Sequence, residues 1–575
     1  MRKISMYIRK AVSMPFPALC RRAYEILSHR AISLLRRVPD MFFDTHLSFN
    51  FDCSKINWFV DVNDLDISGI DKDTAHELLK MWQEHRFDLL GSGWVRCGFY
   101  DNAPGILGYR YPGLVLDIDK DCFWIKKLLN TRNQRRAVEI YRKIPYGYQP
   151  IDWQKDFKSG YRWSEKVWYF YQRLADKPGG DIKAPWELSR LQHLPRMAIF
   201  SCLFPDEADN IKNEFCYQCL DFIALNPPRM GVNWKCTMDV GIRLANMALA
   251  YSLFHTGGRS FSEGFNQVFF NSIYEHCNHI VKNLEWSEVL TSNHYLENVC
   301  GLLFGSALLP ESIKRREWLD FAIRELKREV VKQFHDEGTN FEGSTAYHRL
   351  SSDMMIYSIA LISAIEGKST DYEIAKRISG STRFMEAITR PDGSFTQVGD
   401  NDSGYFFRLS PTGSFERIEA VVERYKSLSG YKAEQSKENC IDENMNDCRM
   451  VLSAASGLLD TSEFEQVANT YPLENSLVKV LCKGFLSEYI IEKPTSVLHQ
   501  ANTDLPYSKE LHISGVHLKS GLRRSDYPEF GIYVFRSDNM YLLVNASDNG
   551  QNGNAGHAHN DKLSFELIIN GEPYF

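Results

Sequence analysis

Apolar positions recur three and four residues apart through seven segments of the chain: 206–225, 236–254, 262–284, 292–309, 311–334, 350–366 and 371–389. That period gives each segment one apolar stripe and predicts a helix. Short polar connectors separate them, several with Gly or Pro. Such a succession predicts antiparallel helix pairs arranged as a toroid or solenoid, rather than one four-helix bundle. The pattern changes near 391. PDGSFTQVGDNDSGYFFRL (391–409) is rich in turn residues, and 426–450 is polar and reads as a linker or long loop. Beyond 450 strand patterns appear. GIYVFR (531–536) and YLLVNAS (541–547) read as a hairpin, and LSFELII (563–569) reads as a further strand. Asn570-Gly571 is a strong hairpin turn signal, yet only four residues follow it. A return strand that short leaves an open edge, so the β domain reads as curtailed at its C-terminal side. Upstream, WFVDVNDLD (58–66) and YPGLVLDID (111–119) read as short strands or extended segments, and LLGSGWVRCGFYDNAPG (89–105) as loop.

The expected fold class is α+β multidomain, with an incomplete (α/α) helical toroid followed by an antiparallel β-sandwich domain that reads as truncated at the C-terminus. The expected boundaries are a basic N-terminal segment at 1–40, a mixed region at 41–160, the toroid at 161–390, a connecting region at 391–450 and the β-sheet domain at 451–575.

Composition narrows the function classes. With 575 residues, 44% hydrophobic and 24% charged, the chain can bury a large core and does not resemble a disordered protein. A net charge of −6 argues against a protein that coats nucleic acid. No apolar run reaches the ~18 residues of a membrane span. Aromatic residues make up 13%, including 28 Tyr and 11 Trp; a helical core accounts for most of them, and sugar-stacking platforms are the competing use. Thirteen Cys spread along the chain do not read as a disulfide framework and lean toward a reducing compartment. Cys216 and Cys219 form a lone C-x-x-C with no second pair at zinc-ribbon spacing, so they read as buried thiols. Residues 1–37 carry nine Lys/Arg against Glu25 alone, around a stretch with two prolines. This is a poor secretory signal; it reads as a solvated leader, with peripheral contact to an anionic membrane face as the alternative.

Three local constellations carry chemistry. In Ser292-Asn293-His294-Tyr295-Leu296-Glu297-Asn298, Thr291 or Ser292 can cap a helix whose first turn holds Asn293 and His294. Asn293 and Glu297 lie four apart, as do His294 and Asn298, on adjacent parts of one face. A satisfied polar cap is the bland alternative. The second, Asp336 to His348 (DEGTNFEGSTAYH), is a Gly-punctuated loop entering a helix, with Tyr347 near its start. A phenol there can donate a proton or, if its pKa is lowered, accept one; core or surface Tyr is the alternative. The third, Gly556-His557-Ala558-His559-Asn560-Asp561, precedes a strand, so the two histidines would point to opposite faces. One can face a cleft while His559 binds metal or packs, although H-x-H supplies only part of a zinc site. GDNDSG (399–404) lacks the length and closing Glu of a calcium loop and reads as a turn, where Asn401 or Asp402 can touch sugar hydroxyls. Trp234 and Arg243 share the helix pair expected to line the toroid; Arg243 can pair with a substrate carboxylate or serve a buried ion pair.

In this order, NHYLEN (293–298), DEGTNFEGSTAYH (336–348), GDNDSG and GHAHNDKLSFEL (556–567), with MDVGIRLAN around Arg243, resemble the heparinase II/III-like polysaccharide lyases, a superfamily that includes alginate and oligoalginate lyases. The likeness spans roughly residues 180–575. It implies an incomplete (α/α) toroid with antiparallel β-sheets and β-elimination next to a uronic acid. By motif, it implies that Asn293 and His557 neutralise the substrate carboxylate, that Tyr347 is the acid (and the base in syn elimination), and that His294 is the base in anti elimination. Glu297 matches an assisting position, and His559 a structural zinc ligand whose companions lie further along the family chain. The implied partner is an acidic polysaccharide or oligosaccharide, and the implied location is periplasmic, whereas the sequence features alone lean cytoplasmic or membrane-associated. Two readings compete. One is an inverting glycoside hydrolase, with Glu342, Asp400 and Asp402 as candidate carboxylates. The other is a non-catalytic polysaccharide-binding or assembly protein.

Overall fold

The computed structural model describes residues 35–174, 177–430, 439–459, 461–488 and 517–574. Most of the basic N-terminal segment, and with it the expected membrane contact, lies outside the described residues.

The helices fall close to where the apolar period places them. They are α1 (Lys72–Gln83), α2 (Thr131–Tyr141), α3 (Lys183–Ser189), α4 (His193–Leu203), α5 (Ala208–Leu225), α6 (Thr237–Thr256), α7 (Glu263–Lys282), α8 (Asn293–Leu308), α9 (Ile313–Gln333), α10 (Thr345–Glu366) and α11 (Tyr372–Ile388). Each packs on its neighbours in the sequence of helix pairs, α4 on α5 and α6, α6 on α7 and α8, and α8 on α9 and α10. The result is an incomplete (α/α) toroid. Its tightest joint is between α6 and α8. A Cβ built on Gly301 would lie 2.4 Å from the Cα of Gly241, so this approach tolerates no side chain at either position. One continuous apolar core runs from Ile56 through the toroid to Leu481 and draws in the mixed N-terminal region.

Residues 41–160 contain little regular structure beyond α1, α2 and a two-stranded ribbon of β1 (Arg86–Asp88) and β2 (Trp94–Arg96), whose second strand falls within the stretch expected to be loop. The stretch 391–450 is not a free linker. It forms β3 (Gly413–Arg417), paired antiparallel with β4 (Asn439–Glu443). The Glu443 side chain is buried against Arg196 of α4 at 2.8 Å, which fastens the ribbon to the toroid. The strands also begin later than expected. Residues after 448 form α12 (Arg449–Leu458) and α13 (Pro472–Leu481), which pack on α10. Their apolar residues continue the toroid core, which is why helix rather than sheet forms there.

The sheet is antiparallel, in the order β5 (Arg523–Tyr527), β6 (Ile532–Arg536), β7 (Met540–Asn545), β8 (Ser564–Ile569) and β9 (Glu572–Pro573). Asn570 and Gly571 both take positive φ, as the Asn-Gly turn requires. Alternate residues Ile532, Val534, Tyr541, Leu543 and Ile568 face inward and pack on Phe384, Ile388 and Phe395 at the end of α11. This one face fixes the β domain against the toroid rim.

Candidate active site

Two loops meet at the rim and assemble the site. The loop before α10 and the loop between β7 and β8 touch at Gly343 and Gly550, both with positive φ; a Cβ on Gly343 would lie 2.9 Å from the Cα of Gly550. The N–H of Gln551 donates to the carbonyl of Phe341 at 2.7 Å, and the N–H of Asp400 to the carbonyl of His557 at 2.9 Å. These bonds carry His557 from the sheet to the start of α10. There its ring stacks on Tyr347, with centroids 3.7 Å apart and planes 23° apart.

Glu342 is the hub beneath them. It is fully buried, and its Oε1 accepts the backbone N–H of Asn293 at 2.6 Å. Its Oε2 accepts from Asn293 Nδ2 at 2.7 Å and lies 3.1 Å from His557 Nε2. The helix α8 begins at Asn293 as expected, but no side chain of Ser292 caps it. The Glu342 carboxylate does so from across the site, a favourable place for an anion. Glu342 is placed by Asn340, whose Oδ1 accepts its N–H at 3.0 Å. Asn340 in turn donates its own N–H to His348 Nδ1 at 3.1 Å. Ser344 caps α10 by accepting the Tyr347 N–H, which sets the Tyr347 side chain in the first turn.

The other ring nitrogen of His557 lies 3.3 Å from Asp400 Oδ2. Burial opposes charge on this ring, but the bonds to Glu342 and Asp400 outweigh it and lift its pKa above the ordinary histidine value. Tyr347 donates its hydroxyl to Asp402 Oδ2 at 2.5 Å. Burial, with the Asp402 carboxylate beside it, pushes the phenol well above its usual range, so it is held protonated. Asp402 is itself paired with Lys183 of α3 at 2.6 Å; this and the Tyr347 bond outweigh burial and keep it ionised.

Tyr347, Asp402, Lys183 and His294 line one open cleft of ≈ 700 Å³, together with Trp186, Arg190, Glu187 and Asp239. His294 Nδ1 lies 3.1 Å from Glu285 Oε1; burial is outweighed by this carboxylate, and its pKa is raised. The site therefore brings together seven residues singled out in the sequence: Tyr347, His294 and Asp402 on the cleft, with Asn293, His557, Glu342 and Asp400 packed behind.

Five other expectations fare differently. Arg243 is fully buried and cannot meet a substrate carboxylate. It donates to His276 Nε2 at 2.9 Å, to the Asn233 carbonyl at 2.8 Å and to Ser189. Trp234 is buried as well, with its indole N–H on the Asn226 carbonyl, so it is a core ring and not a sugar platform. Asn401 turns away from the cleft. Its Nδ2 donates to Asn446 Oδ1 at 2.8 Å and its Oδ1 accepts the Ser403 N–H. Glu297 is fully buried beside Gly241, with no partner for either carboxyl oxygen among the described residues. Burial pushes its carboxyl well above the usual range, and its place in the core leaves it outside substrate reach. His559 meets Asp400 Oδ1 at 2.6 Å, and no group of three ligand-type atoms forms around it among the described residues. This pair falls short of the four ligands a structural zinc needs. Lys183, Arg190 and Glu285 escaped notice in the sequence because no motif surrounds them; only tertiary packing brings Lys183 and Arg190 to the cleft and Glu285 to His294.

The chain is similar to the heparin-sulfate lyase of Pedobacter heparinus, 23% identical over 296 residues that cover 50% of this chain and 41% of the relative. Among solved structures, it resembles the heparan sulfate lyase HepC of Pedobacter heparinus at 18% identity and a TM-score of 0.37, covering 79% of this chain and 56% of that one. It also resembles a heparinase III crystal structure at 15% identity and a TM-score of 0.41, covering 78% and 59%. The chain thus spans less than two thirds of the length of these relatives. The heparinase II/III N-terminus model matches residues 127–403 and the heparinase II/III-like C-terminal model residues 520–575. Together they match more than half of the sequence, and the chain belongs to the heparinase II/III-like family.

Proposed function

We propose that this protein is a polysaccharide lyase that cleaves a uronic-acid-containing glycan by β-elimination. The observation that carries the reading is the Tyr347–His557 stack at the edge of the cleft, with a protonated phenol over a cation-favouring imidazole. The C5 proton of a uronate is weakly acidic until its C6 carboxylate is neutralised. The His557 ring, whose charged form Glu342 and Asp400 favour, supplies that neutralisation. Asn293, fully buried and bonded to Glu342, does not reach the substrate and instead fixes the carboxylate that holds the ring. Substrate displaces Asp400, the longer of the two His557 contacts at 3.3 Å. For syn elimination, the phenol oxygen takes the C5 proton as its own proton passes to O4, and the C5–H electrons form the C4–C5 double bond as the C4–O4 bond breaks. Asp402 stays ionised and orients the hydroxyl, so Tyr347 ends protonated as it began. For anti elimination His294, across the cleft, is the base.

The names of the relatives make heparan sulfate the first polymer to test, with alginate-type and capsular uronans beside it. The test is ultraviolet absorbance of the purified protein with this panel. An unsaturated-uronate signal supports the lyase; intact polymer binding with no signal across the panel contradicts it and favours the binding protein.

A further inference from the structure

Three ligand-type side chains converge on one wall of the cleft, apart from the Tyr347–Asp402 pair. Cys236 precedes the first turn of α6, His294 stands in the first turn of α8, and Glu285 lies in the connector after α7. Cys236 Sγ is 3.9 Å from Glu285 Oε1 and 3.9 Å from His294 Nδ1, and these two are 3.1 Å apart. Ideal tetrahedral zinc bonds to S, N and O put such ligand atoms about 3.4–3.6 Å apart. The three atoms therefore stand within a few tenths of an ångström of that geometry.

We propose that Cys236, Glu285 and His294 bind one divalent ion of the zinc class, with a fourth position open to the cleft. The donor set of one thiolate, one imidazole and one carboxylate is that of a borderline cation, not of calcium or magnesium. On binding, the Cys236 S–H bond breaks, an S–metal bond forms and the proton leaves to solvent. Thiolate and carboxylate then balance the ion's two positive charges in a half-buried site.

The surroundings are arranged for this. Glu285 Oε2 accepts the Met238 N–H at 2.9 Å and the Asn298 Nδ2 at 3.1 Å, while the Glu285 N–H donates to Asn298 Oδ1 at 2.7 Å. These bonds fix the carboxylate and leave Oε1 aimed at Cys236 and His294, as a second shell does for a metal ligand. Asp239, which also lies beside the Cys236 thiol, has its carboxylate paired with Arg190 at 2.8 Å. Cys236 and His294 both line the cleft, which gives the ion an entry path and an open face. A second cluster of His335, Glu337 and Glu529 lacks this character. There the Glu337 oxygens already accept from Thr339 and from the Phe530 and Glu529 N–H groups, so the cluster staples two loops.

The assignment is compatible with syn elimination by Tyr347 but not with His294 as the base of anti elimination, because a metal on Nδ1 leaves the proton on Nε2 and no free lone pair; its test reads metal rather than turnover. Protein stripped of metal by chelator, with its fold checked by circular dichroism, is titrated with Co²⁺ and then Zn²⁺. One equivalent of Co²⁺ should produce a near-ultraviolet thiolate-to-cobalt band, and Zn²⁺ should bleach it. Cys236→Ser should abolish the band. Glu285→Gln, which keeps the thiol and the shape, should keep the band but weaken affinity by about tenfold or more. His559→Ala should leave both unchanged. Absence of the band in the wild type, its survival in Cys236→Ser, or its loss in His559→Ala would overturn the assignment.

Discussion

Tyr347 and His557 lie 210 positions apart in sequence, yet their rings stack at 3.7 Å, with Asp402 holding the phenol and Glu342 holding the imidazole. The first belongs to the toroid and the second to the β domain. The site therefore exists only where the two are joined.

Tyr347→Phe keeps the stack and removes the proton. Turnover should fall by about 10²–10⁴-fold, the range for losing a general acid–base group. Polymer affinity, measured by calorimetry, should change less than threefold. A variant with near-normal turnover would remove Tyr347 from the chemistry.

Glu342→Gln tests the hub. A glutamine offers one accepting oxygen where Glu342 offers two, and its amide nitrogen would face a donor from Asn293 or His557. The misfit costs about 1–3 kcal/mol. We expect a lowered melting temperature, together with at least a tenfold loss in kcat while KM stays within a few-fold. Loss of stability alone, with kcat intact, would make Glu342 merely structural.

Arg243→Ala separates a core cation from a substrate contact. Its guanidinium satisfies His276 and the Asn233 and Ser189 carbonyls, and burial lowers its pKa to about 9. Truncation leaves those groups unpaired and opens a void, at a cost of about 3 kcal/mol or more. Denaturant melts should show this, and a more conservative Arg243→Lys variant should keep KM unchanged. A rise in KM for a uronate substrate with unchanged stability would restore the substrate-binding role.

The helix succession, the hairpin and the Asn-Gly turn were legible because each rests on local period and turn chemistry. So were Asn293, His294, Tyr347 and His557, whose positions at helix starts and in Gly-rich loops are local features too. Arg243 misled for a physical reason, and Trp234 in the buried turn just before α6 did so with it. Nearly every residue of α6 is buried, so its sequence carries no polar face to say which side meets the cleft. Glu342 was visible as a carboxylate, but its grip on Asn293 and His557 depends on the meeting of two distant loops. The helices at 449–481 were hidden because short apolar runs do not distinguish helix from strand until a core chooses between them.

His348, adjacent to Tyr347, makes stability depend on acid. It is fully buried, accepts the Asn340 N–H on Nδ1 and packs edge-on against Phe384, and burial lowers its pKa to about 3. An unfolded histidine titrates near ~6.5. Its contribution is therefore complete above that pH and is lost as pH falls toward 3, because only the unfolded chain takes up the proton. The slope is about 1.4 kcal/mol per pH unit. Urea melts at pH 5 and pH 7 should show a smaller difference for His348→Gln than for the wild type, by roughly 2 kcal/mol. Equal differences would mean that His348 is not held neutral.

The central claim is that the bond breaks by elimination and not by water. Digestion of heparan sulfate, or of whichever uronan the protein cleaves, in ¹⁸O-water followed by mass spectrometry tests this directly. Elimination predicts products whose masses sum to that of the parent, with a C4–C5 double bond and no ¹⁸O. Products heavier by one water and carrying ¹⁸O at the cleaved end would identify a hydrolase and contradict the account.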